Sequence, residues 1–361
     1  MMLDSPVHSD DTSTTSITPS TATRPELVVQ DAIVRPAVST LEELHAALRA
    51  VEARENPDVT VSLSELRVTP HGTLLVPNVP GEFALTDWSR SQLESRLGVR
   101  WNRWFAPVSP EEGAAEINTR LSRSPGLVKL RTTRPGDAGY GVLRAFVSDS
   151  YVPFPDSALA ELLSEVLSAA RYEVRRVTLT SKTVSYVLSL GQIFRPGGDA
   201  KVGDVRGGII VRNSGVGFAS LLVTSHLERL VCTNGMVVPV EDPVLIACIH
   251  RGVSIDKVRE RLAERARAIG GVLKQGADRL LLSRRYPIEH RERIFLELLK
   301  RARLPKKLAP SLEAAYLREP EETVFGIVQA ATLAAQELAP EERLDLERAA
   351  SGYLAALKLP S

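Results

Sequence analysis

Cysteine is almost missing from this chain. Cys232 and Cys248 are the only two in 361 residues, with fifteen residues between them. That pair builds neither a disulfide framework nor a Cys-based zinc module, and the expectation is two buried or half-buried thiols in a reducing compartment. No run of about eighteen apolar residues occurs, so no membrane-spanning helix is expected. The N-terminus has no basic stretch leading into an apolar core, so it does not read as a secretory signal. These absences together predict a cytoplasmic protein without a membrane partner. A phosphate loop of the form Gly-x-x-x-x-Gly-Lys-Ser/Thr is also missing. Gly215-Val216-Gly217 lacks the third glycine and the following helix of a dinucleotide loop. There is no His-Glu-x-x-His and no paired Cys-x-x-Cys, and the six histidines are scattered (His8, His45, His71, His226, His250, His290). No cofactor and no metal site is expected.

Two partial arrangements fail on physical grounds. His226 and Cys232 share a face if both lie on one strand, but six residues span roughly 20 Å, too far for Cys-His chemistry. Pro57-Asp58 followed by Glu65-Leu66-Arg67 is similar to the Asp and Glu-x-Lys pattern of metal-dependent nucleases. Arg67 stands where a titrating lysine is needed, and arginine does not titrate. A hairpin edge with solvated charges is the simpler reading.

What is present is an ordinary soluble composition, 43% hydrophobic and 25% charged, sufficient for a real core. Residues 1 to 30 are Ser/Thr-rich with few large apolar groups, which predicts a disordered tail. Thr40-Leu41-Glu42-Glu43 reads as a capping box opening a helix to about Glu55. Val59 to Val79 reads as a hairpin turning at His71-Gly72. Thr86 or Asp87 opens a helix that Gly98 ends, and Pro110 to Leu121 is another. Strands follow at Leu127 to Arg134 and Gly141 to Val147, then a helix capped by Asp156. Tyr172 to Leu190 predicts two strands and Gly191 to Gly203 a loop. Residues 204–240 supply two more strands with turns at Asn213-Ser214-Gly215 and Asn234-Gly235. From Asp256 the pattern is helical, with breaks at Gly270-Gly271, Pro287, Pro305 to Pro310, Pro320 and Pro340. The expected fold is α+β, a mixed, mainly antiparallel sheet with flanking helices (31–250), then a helical C-terminal part (251–361).

Four blocks resemble a phage- and plasmid-like family called domain of unknown function 932. They are Phe83-Ala84-Leu85-Thr86 with Gln92-Leu93 and Leu97-Gly98-Val99; Arg144-Ala145-Phe146-Val147-Ser148-Asp149-Ser150-Tyr151; Asn213-Ser214-x-x-Gly217 with Arg229-Leu230-Val231-Cys232-Thr233-Asn234-Gly235; and Thr323-x-Phe325-Gly326-x-x-Gln329-Ala330-x-Thr332. Phe325 and Gln329 depart from the Trp and Asn of the family pattern. The resemblance covers roughly residues 40 to 340 and implies a setting in nucleic-acid metabolism rather than a defined activity.

Charge is unevenly spread although the whole chain carries only +1. Residues 251–307 hold seventeen Lys/Arg against seven Asp/Glu, and residues 308–361 hold four against nine. A basic block beside an acidic one predicts an anionic partner, commonly nucleic acid. The expected phosphate contacts are Lys201, Arg206, Arg212 and Arg229 around the central hairpin, and Arg284, Arg285, Lys300, Arg301 and Arg303 in the basic block. Trp88, Trp101, Trp104 and Phe105 are interleaved with Arg90, Arg96, Arg100 and Arg103, a pattern that serves either as core or as a base-stacking platform. The expectation is a protein that binds nucleic acid without catalysis, single-stranded DNA above all, acting in recombination or replication and able to self-associate. Two other classes stay open: a nuclease-like enzyme assembling Asp149, Asp156, Asp199 and Asp204 around a metal, and a protein-interaction module.

Overall fold

The computed structural model describes residues 28–29, 35, 37–100, 108–135, 139–167, 172–194, 204–229, 235–236, 244–248, 250 and 254–356. The fold is α+β, with two mostly antiparallel sheets in place of the single sheet expected, and a helical C-terminal part. Lys201, Cys232, Asn234, Asp199, Trp101, Trp104 and the expected tail, apart from Val28–Val29, lie outside the described residues.

The first sheet begins with β1 (Val28–Val29). Helix α1 (Leu41–Glu52) follows, opened by the capping box: the Glu43 amide donates to the Thr40 hydroxyl at 3.1 Å, and the Glu43 carboxylate accepts the Thr40 amide at 3.2 Å. The helix stops three residues before the expected Glu55. There Asn56 turns its amide to the Thr132 carbonyl at 2.9 Å and leaves the helical path. Strand β2 (Val59–Ser62) pairs with a strand more than sixty residues on rather than within a hairpin. The hairpin that does form is short: β3 (Arg67–Val68) against β4 (Leu74–Leu75), with Gly72 at φ 79° in the turn. Next come β5 (Glu82–Thr86), α2 (Asp87–Leu97), capped by Thr86 and closed by Gly98 in the left-handed region, and α3 (Pro110–Ser122). Strands β6 (Leu127–Thr133) and β7 (Gly141–Val147) complete the order β2-β6-β7-β5-β4-β3, with β1 beside β5. Only the β5 pairings with β7 and β1 are parallel. Phe83, Leu130, Leu143 and Phe146 on the strands pack against Leu93, Ile117 and Leu121 of α2 and α3.

The second sheet is antiparallel throughout. Helix α4 (Asp156–Val166) precedes β8 (Tyr172–Leu179), β9 (Val184–Phe194), β10 (Val205–Asn213), β11 (Leu221–Arg229), β12 (Gly235–Met236) and β13 (Val244–Cys248). Asp156 does not cap α4: Pro155 holds the cap position, and Asp156, the first helical residue, accepts a hydrogen bond from Asn213 instead. Part of the expected loop at Gly191 is strand, because β10 extends the pairing of β9 to Phe194. Alternation sends Tyr186, Leu188, Ile209, Val211 and Val223 to one face, where Leu44, Leu48, Leu159 and Leu163 cover them. Each such buried aliphatic side chain contributes roughly 1.5–3 kcal/mol.

The C-terminal helices are α5 (Ile255–Ser283), α6 (Arg291–Arg301), α7 (Ala309–Arg318), α8 (Val324–Ala335) and α9 (Pro340–Ala355). Helix α5 runs straight through Gly270-Gly271, where a break was expected. Val258, Leu262, Leu273, Ala277 and Leu280 anchor it on both sides, and that packing outweighs about 1 kcal/mol per glycine. The breaks at Pro287, Pro305 and Pro320 fall between helices, and Pro340 opens α9 at its first position, where the missing amide donor costs nothing.

Candidate functional site

The turn between β10 and β11 meets the end of β7. Gly217 takes φ +72° there, which an L side chain rarely adopts, so the turn can close over its neighbours. Ser214 fixes it: its hydroxyl donates to the Lys182 carbonyl at 2.7 Å and accepts the Phe218 amide at 2.9 Å. The Tyr151 hydroxyl donates to the Ser214 carbonyl at 2.8 Å, and the Trp88 indole donates to the Val216 carbonyl at 3.1 Å. Gln92 and Arg96 of α2 hold the Phe146 backbone, accepting its amide at 2.9 Å and donating to its carbonyl at 3.1 Å. Three of the four family-like blocks therefore close around one place.

An open groove of about 520 Å³ runs there, lined by Gln92, Ser148, Tyr151, Phe218, Ser220 and His250 among others. Through Val147 and Ser148 it continues into a second stretch of about 560 Å³ that carries Arg96 and Arg123. Among the described residues, no Asp or Glu lines either stretch. Phe218 stands in it 37% exposed, edge-on to Trp88 at 5.0 Å, with the Lys182 ammonium 5.8 Å from its ring centre. Arg96 and Arg123 are exposed and make no ion pair among the described residues, while Arg96 also lies over the Phe146 ring at 5.9 Å. Burial pushes the Tyr151 phenol up to about 12, so it stays a donor. Burial and the Arg131 charge pull His250 down and keep it neutral, against backbone groups of Val152 and Ala219. The arrangement offers an aromatic face, cations and hydroxyls, with no Asp or Glu among the described lining residues.

The residues expected from sequence fare differently. Arg212 meets Asp345 at 3.2 Å, Arg229 meets Glu319 at 3.1 Å, and Arg284 meets Glu321 at 2.8 Å. All three are largely buried and tie the second sheet or α5 to the C-terminal helices. Arg206 is half-buried beside Glu228 across the β10–β11 ladder. Arg301 pairs with Glu297 at 2.5 Å. Arg285, Lys300 and Arg303 are exposed and lie on the helical part rather than on the groove. Arg144, within the family-like block, bonds Glu55, which also holds Arg131, so its role is structural.

Of the carboxylates expected around a metal, Asp199 lies outside the described residues, and the described ones form no metal-holding group. Asp149 is exposed and accepts the Ser150 amide, whereas Asp156 is bonded to Asn213 at 2.8 Å. Asp58 approaches Arg131 at 3.8 Å, Glu65 caps its own turn, and Arg67 donates to backbone carbonyls. Among the described residues, no three His, Cys, Asp or Glu side chains are grouped to hold a metal ion. No helix there is long and apolar enough to cross a membrane.

Sequence reasoning found Trp88 and Arg96 but missed Phe218, Lys182 and Arg123. A single phenylalanine in a Gly-rich turn carries no periodic signal. No known protein family, curated protein or solved structure matches the chain.

Proposed function

We propose that this protein binds single-stranded nucleic acid along the groove, without catalysing a reaction. The observation that carries the reading is the half-exposed Phe218 ring, flanked by Trp88 and Lys182, in a groove whose described lining contains arginines and no Asp or Glu. An aromatic face stacks an unpaired base, which a duplex does not offer, and the cations follow its backbone. The phage- and plasmid-like resemblance supports a place in recombination or replication, as a strand-binding or annealing factor that can self-associate. DNA is the expected strand type.

The test is fluorescence anisotropy with a labelled oligonucleotide at three ionic strengths. Affinity is expected to fall with salt at a log–log slope of about −0.7 per phosphate neutralised. Phe218→Ala should weaken binding by about 1–3 kcal/mol at unchanged salt slope, the cost of one stacked base. The double change Arg96→Ala and Arg123→Ala should instead make the slope shallower. No binding at low salt, or a Phe218→Ala affinity equal to that of the parent, would end this reading.

A further inference from the structure

The face of the second sheet turned away from its main apolar core carries polar side chains around a small apolar patch, and α9 packs on that patch. Register sets Arg176 beside Val187 and Thr178 beside Ser185, and Val187 beside Ile210. Leu344 of α9 seats on Val187, Ile210 and Leu222. Two adjoining cavities remain under the helix, of about 60 and 190 Å³, sharing Arg176, Val187, Ile210 and Glu347. The smaller reaches Thr178, Ser185 and Arg343, with Arg35 on its wall, and the larger reaches His226 and Glu228.

The polar lining is incomplete at both ends. Arg176 is half-buried, and among the described residues it makes no ion pair or side-chain hydrogen bond. Arg343 and Arg35 repel it, while Glu347, bonded to Arg343 at 2.8 Å, and Glu228 offset part of that charge. At the other end His226 is 1% exposed and neither ring nitrogen makes a hydrogen bond of good geometry. One Glu228 carboxylate oxygen is likewise buried without a partner. The His226 ring fits because position 208 is glycine: a Cβ there would stand 2.1 Å from it. Buried polar groups left in this state are costly unless something completes them.

We propose that this cavity binds a small phosphomonoester. Its phosphate lies between Arg176 and Arg343 with the Thr178 and Ser185 hydroxyls, and a hydroxyl or amino group of its body reaches Glu228 and His226. Three guanidiniums face two carboxylates, Glu347 and Glu228, so the lining keeps a net positive charge, and the planar forks of Arg176 and Arg343 suit phosphate oxygens. The site is separate from the groove and does not depend on the nucleic-acid reading.

Calorimetry on the full chain with inorganic phosphate and with glycerol 2-phosphate tests it. Both should bind saturably, the ester about tenfold tighter because its hydroxyls add bonds to a charged group. Arg176→Gln should weaken both at least about tenfold through loss of a charge-assisted contact. Should Arg176→Gln fail to fold, Ser185→Ala is the second variant, expected to weaken phosphate several-fold. Glu228→Gln should remove the preference for the ester and keep phosphate binding, and Phe218→Ala should change neither. Absence of saturable binding, or binding indifferent to Arg176→Gln and Ser185→Ala, overturns the site. An ester that binds no tighter than phosphate overturns the contact to Glu228 and His226.

Discussion

Arg212 and Arg229 lie at opposite ends of neighbouring strands, and their side chains are 12% and 7% exposed. Strand alternation makes them look free to reach phosphates. The helical part folds back and supplies Asp345 and Glu319, so their charge is used inside the chain. Arg212→Ala and Arg229→Ala are therefore expected to lower stability by about 1–3 kcal/mol, the cost of a lost bond to a charged group. Nucleic-acid affinity per folded molecule should stay unchanged. Urea unfolding beside anisotropy checks this, and variants that keep their midpoint but lose binding would return both arginines to the interface. Arg303 shows the opposite economy. It sits at φ 57° just past α6, where the Leu304 amide reaches the Leu299 carbonyl at 2.8 Å and the Arg303 amide the Lys300 carbonyl at 3.1 Å. That is a Schellman end, whose left-handed position glycine fills without strain. Arg303→Gly should raise stability by about 1 kcal/mol; a lower urea midpoint would show that the arginine is held by contacts of its own.

Helix α5 is the element whose local signals and final form disagree most. Two adjacent glycines in a 29-residue helix cost stability, yet the apolar stripe on either side keeps one continuous rod. A Cβ added at Gly271 meets nothing within 4 Å. Gly271→Ala is expected to raise stability by roughly 0.5–1 kcal/mol, the helix-interior difference between these residues. A neutral or destabilising result in thermal melts would point to a need for flexibility at this position. Strand β2 makes the same point for sheets: its alternation is local, but its partner Leu127–Leu130 lies beyond α2 and α3.

At the scale of the whole molecule, the two sheets meet in a buried polar seam. Glu55 joins Arg131 and Arg144 of the first sheet, and Asn213 of the second donates to Asp156 and to the Phe154 carbonyl. Burial pushes the Asp156 carboxyl from 3.8 up to about 7, with Glu52 and Glu55 adding to it and Asn213 and Arg144 opposing. Between those two values the folded chain keeps a proton that the unfolded chain releases. Stability from this group is therefore present at low pH and lost as pH rises through that window. Asp156→Asn should raise the urea midpoint at pH 8 and change it little at pH 4. His226, held neutral by burial and the Arg176 charge with its value near 3, acts in the opposite direction below 6.5. The difference between variant and parent at each pH is accordingly the quantity to measure, and parallel profiles would remove Asp156 from the seam's titration.

The sequence by itself determined most of the elements. Thr40 with Glu43, Thr86 before Asp87, Gly98 and the C-terminal prolines mark helix ends through bonds and dihedrals within a few residues, so they are readable without the fold. Alternation likewise placed β6 to β11. The tertiary structure alone decided that the strands form two sheets, that Arg212, Arg229 and Arg284 are paired, and that the groove exists. Those outcomes depend on contacts across long separations: Trp88 to Val216, Tyr151 to Ser214, Arg212 to Asp345. Each spans more than sixty residues, and nothing in the local pattern of either partner specifies the other; only burial of the shared core brings them together.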